Sequence, residues 1–112
     1  MPFVRVICSG AVEEALLPKL SALLARELGK PEAYVMTCLE TGARMTFAGT
    51  AKPCCFVEVK NVGVLTGEVT KRVSAALTDF LAPALGVEED RVYIVFSEVK
   101  PQHWGFDGGT FG

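Results

Sequence analysis

The chain has 112 residues, half of them hydrophobic and 21% charged, with a net charge of −2 at pH 7. That length makes one domain spanning 1–112. The charge balance leaves no basic footprint for nucleic acid or an anionic membrane, and no apolar run is long enough to span a bilayer.

The start lacks a charged segment followed by an apolar stretch, so no secretory signal is expected and the chain reads as cytoplasmic. Cys8, Cys38, Cys54 and Cys55 form no C-x-x-C pair. They read as reduced thiols on strands; no metal site and no cofactor is expected. Small domains bury a smaller share of their surface, so the apolar content points to an oligomer.

Met1-Pro2 opens the chain. A methionine before a small residue is normally trimmed, which would leave Pro2 with a free secondary amine. A free terminal amine titrates at about 7.7–8.0, and burial lowers that value. Proline's fixed φ would hold such a base stiffly. Phe3 to Cys8 is rich in branched and aromatic residues and reads as a strand. After Ser9-Gly10, Glu13 and Glu14 suit a helix N-terminus. Leu16, Leu20, Leu23, Leu24 and Leu28 form a helical stripe. Gly29 and Pro31 stop that helix, and Pro18 must lie in its first turn or kink it.

Ala33 to Leu39 reads as the second strand, Met45-Thr46-Phe47 as a short extended piece, and Gly49 to Pro53 as a loop. Cys55 to Val59 is the next strand. Thr66 is an N-cap, and Val69, Val73, Ala76, Leu77, Phe80, Leu81 and Ala84 form a second helical stripe that Pro83 and Gly86 end. Arg91 to Phe96 is the fourth strand. The tail, Lys100 to Gly112, carries His103, Trp104, Phe106 and Phe111 among glycines.

The pattern strand, helix, glycine, acidic linker, strand occurs over residues 3–39 and again over 55–96. Each half is a β-α-β unit whose right-handed crossover makes its strands parallel. The fold class expected is therefore α/β (α+β): a four-stranded mixed sheet with two helices on one face. Several strands look apolar on both sides and need cover on the bare face, which a second copy of the chain would supply.

Seven stretches then align in order: the Pro2 start, Gly29-Lys30-Pro31, Met45 to Gly49, Lys52-Pro53-Cys54, Asn61-Val62-Gly63, Asp90 to Ile94, and Trp104-Gly105-Phe106 leading to Gly109-Thr110-Phe111. Together they resemble the macrophage migration inhibitory factor family of the tautomerase superfamily, over essentially the whole chain. The resemblance implies a homotrimer with active sites at subunit interfaces and keto–enol tautomerisation of α-keto acids such as phenylpyruvate. It implies that Pro2 is the base, that Lys30 and the backbone of Val62 bind the substrate carboxylate, and that Tyr93 enters from a neighbouring subunit. Phe3, Phe106 and Phe111 are the expected apolar wall. His103 is read as an exposed tail residue.

The family's better-known animal members often carry asparagine where Val95 stands here, so a polar contact to substrate is replaced. Their C-x-x-C motif is replaced by Cys54-Cys55-Phe56-Val57, which supports no thiol–disulfide activity. Lys60 stands in place of a histidine, as a second cation near the pocket mouth. Two other functions compete with the isomerase. One is a cytokine-like signalling protein with a vestigial pocket, since family members of that kind are exported without a signal peptide. The other is a different superfamily reaction, such as 4-oxalocrotonate isomerisation or dehalogenation, which often uses arginines where this chain has lysines.

Overall fold

Val4, Val6 and Cys8 are buried and alternate with Phe3, Arg5 and Ile7, the period-two pattern of a strand with one face in a core. This strand, β1 (Phe3–Cys8), belongs to a computed structural model that describes residues 1–11 and 14–112. Glu13, expected at the first helix start, lies outside the described residues. Helix α1 (Leu16–Leu28) buries Leu16, Leu20, Leu23 and Leu24. Pro18 is its third residue, where the backbone lacks an intrahelical acceptor in any case, so no kink is needed. Gly29 closes α1 with φ 63°, and the Lys30 N–H returns to the Ala25 carbonyl at 2.9 Å.

Strand β2 (Met36–Glu40) starts later than the sequence suggests. Glu32–Tyr34 forms a 3₁₀ turn instead, with the Tyr34 N–H on Pro31 O at 3.1 Å and the Val35 N–H on Glu32 O at 3.0 Å. The β-favouring Tyr34 and Val35 are overruled by the turn that follows Pro31. Strand β3 (Cys55–Val62) and strand β4 (Val92–Val99) both run three residues past their expected ends. Their parallel register holds over eight pairs, from Cys55↔Val92 to Val62↔Val99. The extra residues include Lys60, Ser97 and Glu98, whose polarity hid the strand.

Between them lies α2 (Gly67–Leu85), capped by the Thr66 hydroxyl, which accepts from the Val69 N–H. Pro83 sits inside its last turn rather than ending it, and Gly86 takes the closing left-handed conformation at φ 65°. Ala82 and Leu85 are buried there, while Ala84, assigned to the stripe from sequence, is exposed. Strands β5 (Gly105–Phe106) and β6 (Gly109–Thr110) make a small hairpin. Its turn, Asp107-Gly108, has both φ values positive, at 50° and 80°. Asp-Gly is a strong hairpin signal that the tail's glycine content obscured.

The sheet order is β2-β1-β3-β4, with β1 parallel to β2, β3 parallel to β4 and the two halves antiparallel. Leu20, Leu24, Leu77 and Leu81 pack fully buried against Val4, Val6, Val57 and Val59. No helix of the described residues is long and apolar enough to cross a membrane.

The helix-free face is less apolar than expected. Its central row is Cys38, Arg5, Glu58 and Val95, register partners across all four strands. Arg5 reaches Glu40 at 3.1 and 3.2 Å and Glu58 at 3.2 Å. Ile7, Phe56 and Tyr93 make the apolar row beside it.

Arg91, expected to open the fourth strand, instead ends a 3₁₀ turn, Glu89–Arg91. It is buried, and its guanidinium donates to the carbonyls of Phe47, Thr50, Lys52 and Pro53 at 2.9 to 3.4 Å. It also lies 5.1 Å from the Phe47 ring centroid. One planar fork thereby holds the whole 47–53 loop. Arg91→Ala removes charge-assisted hydrogen bonds to four carbonyls at once and is expected to cost about 3 kcal/mol. Arg91→Lys should recover only part of that loss, as read by urea denaturation.

Candidate active site

Pro2 lies at the first turn of chain before β1, and its side chain is fully buried. Its carbonyl accepts from the Met36 N–H at 3.1 Å, tying the terminus to β2. Around it opens a cleft of about 690 Å³ whose lining includes Pro2, Phe3, Tyr34, Met36, Phe106 and Phe111. The aromatic wall is a packed cluster. Phe106 and Phe111 stack at 5.2 Å with an interplanar angle of 8°, and Tyr34 meets them edge-on at 5.4 and 6.0 Å. The hairpin supplies Phe106, the residue after it supplies Phe111, and the 3₁₀ turn supplies Tyr34. Tyr34 escaped the sequence reading because it was assigned to a strand. The signal was a lone aromatic just after Gly29-Lys30-Pro31, in a chain whose tail holds two more.

Lys30 and Val62 meet at the end of β3, two residues beyond the lining residue Lys60, and neither is itself part of the lining. Lys30 Nζ donates to the Val62 carbonyl at 3.1 Å. The Ser9 N–H donates to Cys54 O, so Ser9–Cys54 is a hydrogen-bonded pair of the antiparallel ladder. Every second pair then is too, ending at Phe3↔Lys60. Val62 lies two residues further on, so its N–H and carbonyl point toward the side where β1 has already ended. Lys30 takes the carbonyl, and the N–H is left without a ladder partner. Gly63, at φ 111°, then turns the chain in a region that side-chain-bearing residues rarely enter.

The amine at this terminus is held below its ordinary value, first by burial and second by the Lys30 charge. In the untrimmed chain that amine belongs to Met1.

Tyr93 and Val95 stand apart from this group. Both project from β4 on the helix-free face, 61% and 49% exposed, and neither lines the cleft. The Tyr93 ring packs on Phe47 at 4.7 Å. His103, Trp104 and Lys60 do line the cleft, so His103 is exposed yet faces the site rather than bulk solvent alone. No cysteine is among the cleft's lining residues. Cys8, Cys54 and Cys55 are buried and unbridged, and burial pushes the Cys55 thiol up to about 12.

The sequence model described as Macrophage migration inhibitory factor (MIF) matches residues 1–112. The chain is 34% identical over 113 residues to the MIF-like protein mif-2 of Caenorhabditis elegans, covering 98% of this chain and 94% of the other. It is 32% identical to a macrophage migration inhibitory factor homolog of Brugia malayi, over all of both chains. The crystal structure of a homologue from Prochlorococcus marinus superposes with a TM-score of 0.93 at 42% identity, covering 98% and 99% of the two chains. With this fold, and with relatives matched end to end, the chain belongs to the macrophage migration inhibitory factor family.

Proposed function

We propose that the protein is a keto–enol tautomerase of phenylpyruvate-like α-keto acids, with the Pro2 nitrogen as general base once Met1 is removed. The observation that carries this reading is the buried Pro2 at an aromatic-walled cleft, next to a Met1 amine whose protonated form burial and Lys30 both disfavour. The base takes a proton from C3 of the keto acid, breaking the C3–H bond. The electron pair forms C2=C3, the C2=O π pair moves onto oxygen, which gains a proton from solvent, and Pro2 returns the C3 proton to solvent. The reverse sequence ketonises the enol, so the net change is an isomerisation. A base with a pKa close to the operating pH suits both directions. Lys30 and the Val62 N–H hold the substrate carboxylate, and Tyr34, Phe106 and Phe111 pack on its ring.

The active assembly is a homotrimer. Tyr93 and Val95 are exposed on the helix-free face of one chain, and in the assembly Tyr93 completes a neighbour's cleft. Val95 then offers an apolar contact where a polar one would grip a ring substituent. Sedimentation equilibrium at micromolar concentration should give about three times the 12.0 kDa chain mass; a stable monomer would remove the shared site. The small partner is the α-keto acid itself.

The direct assay is ketonisation of phenylpyruvate followed by ultraviolet absorbance. A chain that assembles but shows no Pro2-dependent rate would instead be a binding protein that keeps the pocket without the chemistry. The replacement at Val95 is the one feature that favours that second reading.

A further inference from the structure

We infer that Lys60 makes this cleft selective for 2-keto acids that carry a second carboxylate. The inference rests on the tautomerase reading for its substrate class and extends it to specificity. Lys60 lies on β3, is exposed, and lines the cleft beside Phe3, its register partner. Among the described residues no carboxylate lies within ion-pair distance of it; the pairs present are Arg5 with Glu40 and Glu58, and Arg72 with Glu27. Glu58, two residues away on the same strand face, is engaged by Arg5 at 3.2 Å.

The cleft lining contains no aspartate or glutamate, although the chain holds 13 acidic residues against 11 lysines and arginines. An anionic protein thus keeps one cleft free of its own negative charge. Focusing of the potential in such a cleft favours an anionic ligand.

One monocarboxylate leaves part of that potential unused. Lys30 is anchored at the Val62 carbonyl, two residues beyond Lys60 on the same strand. Two residues of strand span about 7 Å. Two ammonium groups therefore flank the Pro2 end of β1 from separate stations, one for each carboxylate of a dianion. The lining has no arginine fork and no helix N-terminus, the usual grips for phosphate. A lysine acting as a point charge fits a carboxylate. The wall of Tyr34, Phe106 and Phe111 calls for a flat body between the two charges, an aryl or conjugated one.

A matched pair of substrates tests this: 4-carboxyphenylpyruvate against 4-methylphenylpyruvate, similar in shape and different in charge. Wild-type protein is expected to prefer the dianion in kcat/KM. Lys60→Met should lower that preference ratio about tenfold, since the lost contact is charge-assisted but partly solvated. Lys60→Arg should keep the ratio, and Lys60→Glu should invert it. Raising salt should shrink the wild-type ratio.

Trp104, the only tryptophan, lines the cleft and gives a readout independent of turnover. Its fluorescence is titrated with 4-carboxyphenylacetate and with phenylacetate, which need not react. If no keto acid turns over, yet the dianion binds more tightly in a Lys60-dependent way, the tautomerase reading fails and the selectivity stands. If Lys60→Met changes both substrates and both ligands equally, or neither, the selectivity is overturned whatever the enzyme catalyses.

Discussion

Adding one residue before Pro2 is expected to abolish tautomerase activity while leaving the assembly intact. The added residue turns the proline nitrogen into an amide, which has no basic lone pair. A positioned general base contributes about 10²–10⁴ in rate, so the loss should reach that range. Pro2→Gly is the companion variant. It keeps a terminal amine but loses the ring that fixes φ, so it should fold and retain a small part of kcat. Intact-mass spectrometry of protein made in cells should show Met1 gone; quantitative retention would leave every preparation in the blocked state.

The pH dependence follows from the same group. Burial and Lys30 lower the pKa of the Met1 amine in the untrimmed chain, and the same two causes are expected to act on the Pro2 amine once Met1 is removed. The kcat/KM of the wild-type protein should fall as pH drops through that lowered value. Its inflection should lie below the roughly 7.7–8.0 of an unperturbed terminal amine. Titration of nitrogen-15-labelled Pro2 by NMR should give the same midpoint. Wild-type rates in the blocked protein would show that Pro2 is not the base.

Lys30→Ala carries the second large effect. It is expected to raise KM for phenylpyruvate about ten- to a hundredfold, the worth of a charge-assisted hydrogen bond of roughly 1.5–3 kcal/mol. A keto compound without a carboxylate should be far less affected. A second signature reads the Lys30 charge itself. Removing the Lys30 charge takes away one of the two influences holding the amine down. The acid limb of the pH profile should therefore move to higher pH. If Lys30 only braces the Val62 carbonyl, both substrates should suffer alike.

The two helices, their glycine stops and all but Ala84 of their apolar stripes were legible in the sequence, because each depends on neighbours three or four residues away. So was the doubled strand-helix-strand order, since right-handed crossover leaves few ways to join such units. The seven short stretches were enough to carry the family. Strand ends were less legible. Lys60, Ser97 and Glu98 are polar yet lie in strands, because the β3–β4 register runs on through them. Tyr34 looked like a strand residue and is held in a turn by hydrogen bonds near Pro31.

Local pattern thus determined the elements and their order, together with a proline start and a lysine just past a helix stop. Only the tertiary structure decided which of these residues meet. Tyr34 finds Phe106 and Phe111 from more than seventy positions away. Arg91 gathers four carbonyls of the 47–53 loop. Lys30 reaches Val62 because β1 ends just short of it, while Tyr93 and Val95 fall on the opposite, open side of the same sheet. Such meetings depend on strand register and chain return, and no short-range periodicity in a sequence encodes either.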